Sequence, residues 1–272
     1  MAEDKRNGAN SSPKKIQHTV KPAVARDDGQ VEAKPAAPVE GKEGAGKYRI
    51  GAALLWLAAI AFEVIAVLLF VGKINWTFLP TLTMIIIALV LDLICVTVGS
   101  QLWKKSNRLD PASGKNKVKF WLWNNMGLIV CAFAFVPFII LALTNKNADK
   151  KTKTVAAIVA VIALLIGGLF SHDWNPISAE EKEAAIEEYS DTDVYWSNFG
   201  TVYHLDENCS HLNHSDELTV GSVEQAIEAH STRVCKDCEK KYNAQIESGE
   251  RDPFEGTDAE ETVEDFTVGV DD

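Results

Sequence analysis

Long apolar runs separated by short polar segments dominate the middle of the chain. They cover residues 48–71, 78–103, 120–143 and 154–170, and their interiors are built from Ala, Leu, Ile, Val and Phe. A helix needs roughly 20 apolar residues to cross the hydrocarbon core, with about 17 as the lower limit. The pattern therefore predicts an α-helical bundle of four transmembrane helices over residues 48–171. Buried helices of a soluble protein are the alternative, but four such runs would leave few amphipathic helices to cover them. Short connections between runs one and two and between three and four make those neighbours antiparallel. Trp76, Trp103, Trp121 and Trp123 stand at run ends, where interfacial aromatics gather. Pro137 falls inside the third run, where it removes a helix hydrogen bond and predicts a kink.

Beyond the last run the periodicity changes. Ser178-Ala-Glu-Glu181 has the form of a capping box, so a connecting helix is expected over 178–190. Residues 194–196 and 201–203 read as two short strands with a turn at Ser197-Asn198-Phe199-Gly200. Ser222-Val-Glu-Gln225 is a second capping box, followed by a helix to about His230. A last helix carries Cys238, Tyr242 and Ile246. The sum is a small α+β domain over residues 191–246.

Charge divides the chain further. Residues 1–47 hold nine Lys/Arg against seven Asp/Glu and have no periodic apolar face. Such a segment cannot offset its ordering entropy, so it is expected to be disordered. Residues 171–272 hold 27 Asp/Glu against six Lys/Arg, which makes the formal charge of −11 a property of the C-terminal part. The stretch 247–272 is acidic and poor in large apolar residues, as a solvated tail is. A field of this sign repels phosphate backbones and argues against a nucleic-acid partner. The first apolar run starts too late for a cleavable signal, so none is expected.

Lys and Arg orient the bundle. Lys34, Lys42, Lys47 and Arg49 precede the first run, and Lys104, Lys105, Arg108, Lys115, Lys117 and Lys119 lie between the second and third. With Lys182 they outnumber Lys73, Lys146, Lys150, Lys151 and Lys153 on the other side, so both termini are expected in the cytoplasm of a multi-pass protein of the cell membrane.

Two carboxylates interrupt the apolar runs, Glu63 in the first and Asp92 in the second. A charge at the bilayer centre costs on the order of 2.5–3.5 kcal/mol even on the lenient insertion scale. Counted from the cytoplasmic ends, the two lie at similar depth. They are expected to meet across adjacent helices as an intramembrane acidic pair. One reading is a protonated pair that hydrogen-bonds and fixes packing. The other is a proton or cation relay. Cys95 and Cys131 sit in apolar runs, where a thiol acts as a small hydrophobe.

The remaining cysteines carry the chemistry. His204 is followed after four residues by Cys209, and Cys235-Lys236-Asp237-Cys238 is a Cys-x-x-Cys pair. One His/Cys pair and one Cys-x-x-Cys pair can close on a single tetrahedral ion, a ligand set that Zn²⁺ favours. His211 and then His214 are the reserve ligands to His204, since Cys209-x-His211 is too tight for a usual ligand pair. A domain of this size usually needs a staple, and metal binding supplies one. Four ligands leave no open position, so the site reads as structural rather than catalytic. No nucleophile–base pair or Gly-rich phosphate loop is present, and no enzyme activity is expected.

Tyr195-Trp196, Phe199-Gly200, Tyr203-His204, Cys209, Leu212, Glu224-Gln225-Ala226 and Cys235-x-x-Cys238 together resemble the Ada-type zinc-binding module, in the variant that has Tyr-His where the DNA-repair form has Tyr-Cys. The resemblance covers residues 194–242. It implies a ligand set of His204, Cys209, Cys235 and Cys238. The repair form uses the cysteine at the position of His204 as its methyl acceptor, and an imidazole cannot be that thiolate nucleophile. The layout of the whole chain is also similar to a family of uncharacterised bacterial four-span membrane proteins, which implies no activity. The functional expectation is a membrane protein that presents a zinc module to a cytoplasmic protein partner. Alternatives are a metal-responsive or cation-transporting protein using Glu63 and Asp92, and a membrane-tethered nucleic-acid binder.

Overall fold

A computed structural model describes residues 33–249 except 75, 76, 147, 214 and 216. The expectations for residues 1–32, for Trp76, for His214 and for the tail beyond 249 lie outside the described residues. In chain order the elements are β1 (Ala33–Pro35), α1 (Gly41–Phe70), α2 (Thr81–Leu109), α3 (Lys117–Asn124), α4 (Met126–Thr144), α5 (Lys150–Ser171), α6 (Ala179–Glu188), β2 (Val194–Ser197), β3 (Val202–Tyr203), β4 (Leu218–Gly221), α7 (Val223–Ala229), β5 (Arg233–Val234) and α8 (Lys236–Glu247). Among the described residues, α1, α2, α4 and α5 are long and apolar enough to cross a membrane.

The bundle is built from small residues inside and large ones outside. Its interior takes Ala52, Ala59 and Ala66 of α1, Ala88 of α2, Ala134 of α4, and Ala156, Ala160 and Ala163 of α5, around Ile85, Leu89, Phe135 and Phe138. Leu54, Leu57, Ile60 and Val64 of α1, Ile94 of α2 and Ile158 and Leu165 of α5 face outward. A soluble protein would not leave so much aliphatic surface bare. Lipid covers it at no cost, while small residues let helix backbones approach. Gly127 shows how closely: a Cβ there would sit 2.7 Å from Cβ and 3.3 Å from Cα of Ser100, on α2.

The third apolar run is not one helix. Asn124 and Asn125 turn their side-chain amides back to the carbonyls of Phe120 and Trp121, both at 3.0 Å. Side-chain amides compete in this way with the helix ladder. The chain breaks at Asn125 into a short α3 and a 19-residue α4. Both asparagines are buried, and Asn124 accepts from Asn107 of α2 at 3.2 Å.

The C-terminal part forms two small sheets, β1-β4-β2 and β3-β5, with helices. β2 pairs antiparallel with β4, and β3 pairs parallel with β5. Both expected capping boxes are present, Ser178 with Glu181 and Ser222 with Gln225. Val194, Trp196, Tyr203, Ile227 and Tyr242 fill the core between sheet and helices.

Residues 33–47 depart from the disorder expected of 1–47. β1 adds to the free edge of β4 in parallel register, Ala33 opposite Leu218. Backbone hydrogen bonds make this contact, so no apolar periodicity announces it. Lys34 pairs with Glu217 at 3.0 Å, and Gln225 donates to the Ala37 carbonyl at 2.8 Å. The chain then turns at Gly41, whose φ of +64° suits glycine, and enters α1.

The module thus holds one end of the bundle. Glu228 of α7 accepts the Glu40 N–H at 2.8 Å and the Gly41 N–H at 2.9 Å, capping α1 from another element. Lys182 of α6 donates to the Arg108 and Leu109 carbonyls, both at 3.2 Å, at the other kind of helix end. An acid at a helix N-terminus and a cation at a C-terminus are the placements the helix dipole favours.

Candidate metal centre

Four side chains converge at the junction of β3, the Cys209 turn and α8. His204 follows β3 and is fixed by a two-way backbone pair with Tyr195, each bond 2.8 Å. Cys209 sits on a turn in which Asp206 accepts the Asn208 N–H at 2.9 Å and the Cys209 N–H reaches the Asp206 carbonyl at 3.1 Å. Cys235 is the N-cap residue of α8, and its N–H donates to the Tyr203 carbonyl at 2.8 Å. Cys238 lies one turn on. Both α8 thiols therefore meet the positive end of a helix, which favours thiolate.

The four ligand atoms of His204, Cys209, Cys235 and Cys238 lie within 4.8 Å of one another, and all four residues are buried. Cys209 Sγ and Cys235 Sγ are 4.0 Å apart, and Cys238 Sγ is 3.8 Å from His204 Nδ1. Thiolate–metal bonds of ~2.3 Å arranged tetrahedrally would put sulfurs ~3.8 Å apart. A disulfide would need about 2.0 Å. The cluster fits a metal ion, and the fit rests on geometry and donor chemistry alike.

Burial lowers the pKa of the His204 imidazole, and His211 adds to the effect. A neutral ring is the ligating form. Burial pushes the Cys238 thiol up to about 12. A dication reverses that shift, since it binds only the thiolate. His211 does not join the cluster of four. It is exposed, and its Nε2 lies 2.7 Å from Asp237 Oδ2. That contact carries no sequence signature. His211, Asp237 and Cys235 form a second, more open grouping on the rim.

Glu63 and Asp92 are 7% and 0% exposed, so both face the bundle interior. Glu63 stands on the stripe of Ala59 and Ala66, and Asp92 on that of Leu89 and Val96. All four carboxylate oxygens are buried without a hydrogen-bond partner among the described residues.

Comparison with protein-family models, with curated proteins and with solved structures finds no match.

Proposed function

We propose that this chain is a multi-pass membrane protein that presents a structural-zinc module on the cytoplasmic side, where the module engages a protein partner. The observation that carries the reading is the buried set of four ligand atoms within 4.8 Å. Three thiols and one imidazole around a closed centre favour Zn²⁺ and leave no position for a substrate. The metal then serves the fold, and function falls to the surface. The β2–β3 turn offers one feature there, since Phe199 is 96% exposed at its tip. The Tyr203-His204, Cys209 and Cys235-x-x-Cys238 spacing resembles the Ada-type module and supports the same assignment. Orientation follows from the Lys/Arg excess at the module end.

The test combines metal analysis with capture. Full-length protein in nanodiscs should hold one Zn²⁺, and Cys235→Ser should lose the ion together with the module's protease resistance. Crosslinking in native membranes should trap a partner at Phe199 of the wild type and not of the zinc-free variant. A metal-free protein with an intact module would overturn the assignment.

A second reading, a metal-responsive protein, is favoured by one observation. α7 lies in sequence between Cys209 and Cys235, and its Glu228 caps α1. Metal loss would reach the membrane helices by that route. Nucleic-acid binding is less supported, because Arg233 is engaged with Asn175 and Lys241 with Asp206 at 3.5 Å.

A further inference from the structure

A cavity of about 390 Å³ opens at the module end of the bundle, lined by Arg49, Asp110, Lys115, Asn116, Lys119 and Trp123 among others. Three of these side chains are cationic and one is acidic. Asp110 is already committed, since its carboxylate holds Arg49 at 3.0 Å. The neighbouring acid Glu180 is committed as well, to Ser113 Oγ at 2.5 Å and the Gly114 N–H at 2.8 Å. Lys115 and Lys119 form no ion pair among the described residues, and Arg49 Nε is buried without a hydrogen-bond partner. The cations of the cavity lining thus outnumber its acid, Asp110, which Arg49 already holds through its carboxylate and its carbonyl.

Its depth is that of lipid headgroups. Arg49 stands where α1 becomes apolar, and its guanidinium lies 5.5 Å from the centre of the Trp123 ring. The Trp123 ring lies tilted against Trp103 with centres 5.1 Å apart, and Trp103 against Trp56 at 5.3 Å, so the cavity wall continues into the bundle as a row of aromatic rings. On α3 beside it, Val118, Trp121 and Leu122 are exposed. A short helix with bare apolar residues between lysines belongs at the interface, with its rings at headgroup level. Basic pockets between membrane helices at that depth suit phosphate-bearing headgroups.

We propose that Arg49, Lys115 and Lys119 bind the phosphate of an anionic membrane lipid, whose acyl chains lie against the exposed face of α3. Arg49 already donates from Nη1 to the Asp110 carboxylate at 3.0 Å and from Nη2 to the Asp110 carbonyl at 2.9 Å, so it offers the phosphate only the remaining N–H of each, and the lysines supply mobile charge. The site requires only that the apolar helices span a membrane. It does not depend on the metal.

The experiment uses full-length protein in nanodiscs of phosphatidylcholine with or without phosphatidylglycerol. After transfer to mild detergent, native mass spectrometry counts retained lipid. The wild type should keep one phosphatidylglycerol. Lys115→Gln/Lys119→Gln should lose it, with an unchanged melting temperature in pure phosphatidylcholine. Lys150→Gln/Lys151→Gln, at the other end of the bundle, should keep it. Equal retention by both double variants, or equal loss, would overturn the site. Inorganic phosphate added to the phosphatidylcholine sample is the second arm. Stabilisation by phosphate that matches the lipid's would overturn the lipid as ligand, and its absence supports it.

Discussion

Replacement of Glu228 by alanine should free the start of α1 while leaving α7 helical. The carboxylate accepts two backbone N–H groups, at 2.8 and 2.9 Å, that have no intrahelical partner. Removing an ordinary N-cap costs roughly 0.5–2 kcal/mol. A charged acceptor near a helix N-terminus adds about 0.3–1 kcal/mol. Two bonds, part-buried, place the loss at ~2 kcal/mol, or roughly 30-fold in the opening equilibrium. Alanine is the better helix former, so α7 itself gains from the change. Hydrogen–deuterium exchange of the full-length protein in nanodiscs reads the result. Amides of residues 40–44 should exchange roughly 30-fold faster, while those of residues 194–204 should not change. Unaltered exchange at the start of α1 would refute the cap. Faster exchange throughout the module would show that Glu228 supports the whole domain instead.

Other outcomes can be checked separately. Gly127→Ala would force its Cβ to 2.7 Å from Ser100 Cβ; the thermal stability of the bundle should fall by about 1–3 kcal/mol, as overpacking does. Glu40 is held down at about 2, chiefly by Lys105 and then Lys47. A depressed carboxylate contributes stability that is present above its ordinary value of 4.5 and lost as pH falls toward 2, so the protection of amides at the start of α1, corrected for their intrinsic exchange rate, should fall across that window, and Glu40→Gln should make the fall smaller. For Glu63, whose oxygens have no hydrogen-bond partner among the described residues, Glu63→Leu should be neutral or stabilising in a melting assay, because it removes an unsatisfied buried group; marked destabilisation would show that a hydrogen bond had been lost. If the two acids form a relay, Glu63→Gln should abolish proton or Zn²⁺ flux into liposomes at unchanged stability.

What could be read from the sequence depended on range. The apolar runs declare themselves because a bilayer demands length and composition together, and α1, α2, α4 and α5 meet both demands. Ser178–Glu181 and Ser222–Gln225 declare themselves because a capping box is a contact three residues apart. The convergence of His204, Cys209, Cys235 and Cys238 was open to prediction because few residue types do this work. β1 was hidden, since an edge strand of Ala-Lys-Pro needs only a backbone edge to add to. The break at Asn125 was hidden by apolar residues on both sides, although two adjacent asparagines are the signal that marks it. Glu228 and Lys182 could not have been singled out. They are one acid among 38 and one base among 27, and only the fold says which helix ends they face.

Those two residues also bear on the acidity of the module. A C-terminal part with 27 Asp/Glu and six Lys/Arg should be driven from an anionic membrane surface if net charge decided the matter. It docks because sign is matched locally. Glu228 meets the N-terminus of α1, Lys182 meets the C-terminus of α2, and Glu180 takes the Gly114 N–H at 2.8 Å. Lys182 is further held by Glu224 of α7 at 3.6 Å, so α6 and α7 act on the helix ends together. Such contacts lose little to salt, because the groups are close and shielded, whereas the diffuse repulsion is screened within about 10 Å at moderate ionic strength. The docked state is therefore the favoured one wherever the module is folded. α7 lies in sequence between Cys209 and Cys235, so the carboxylate that caps α1 and the four candidate metal ligands belong to one small domain.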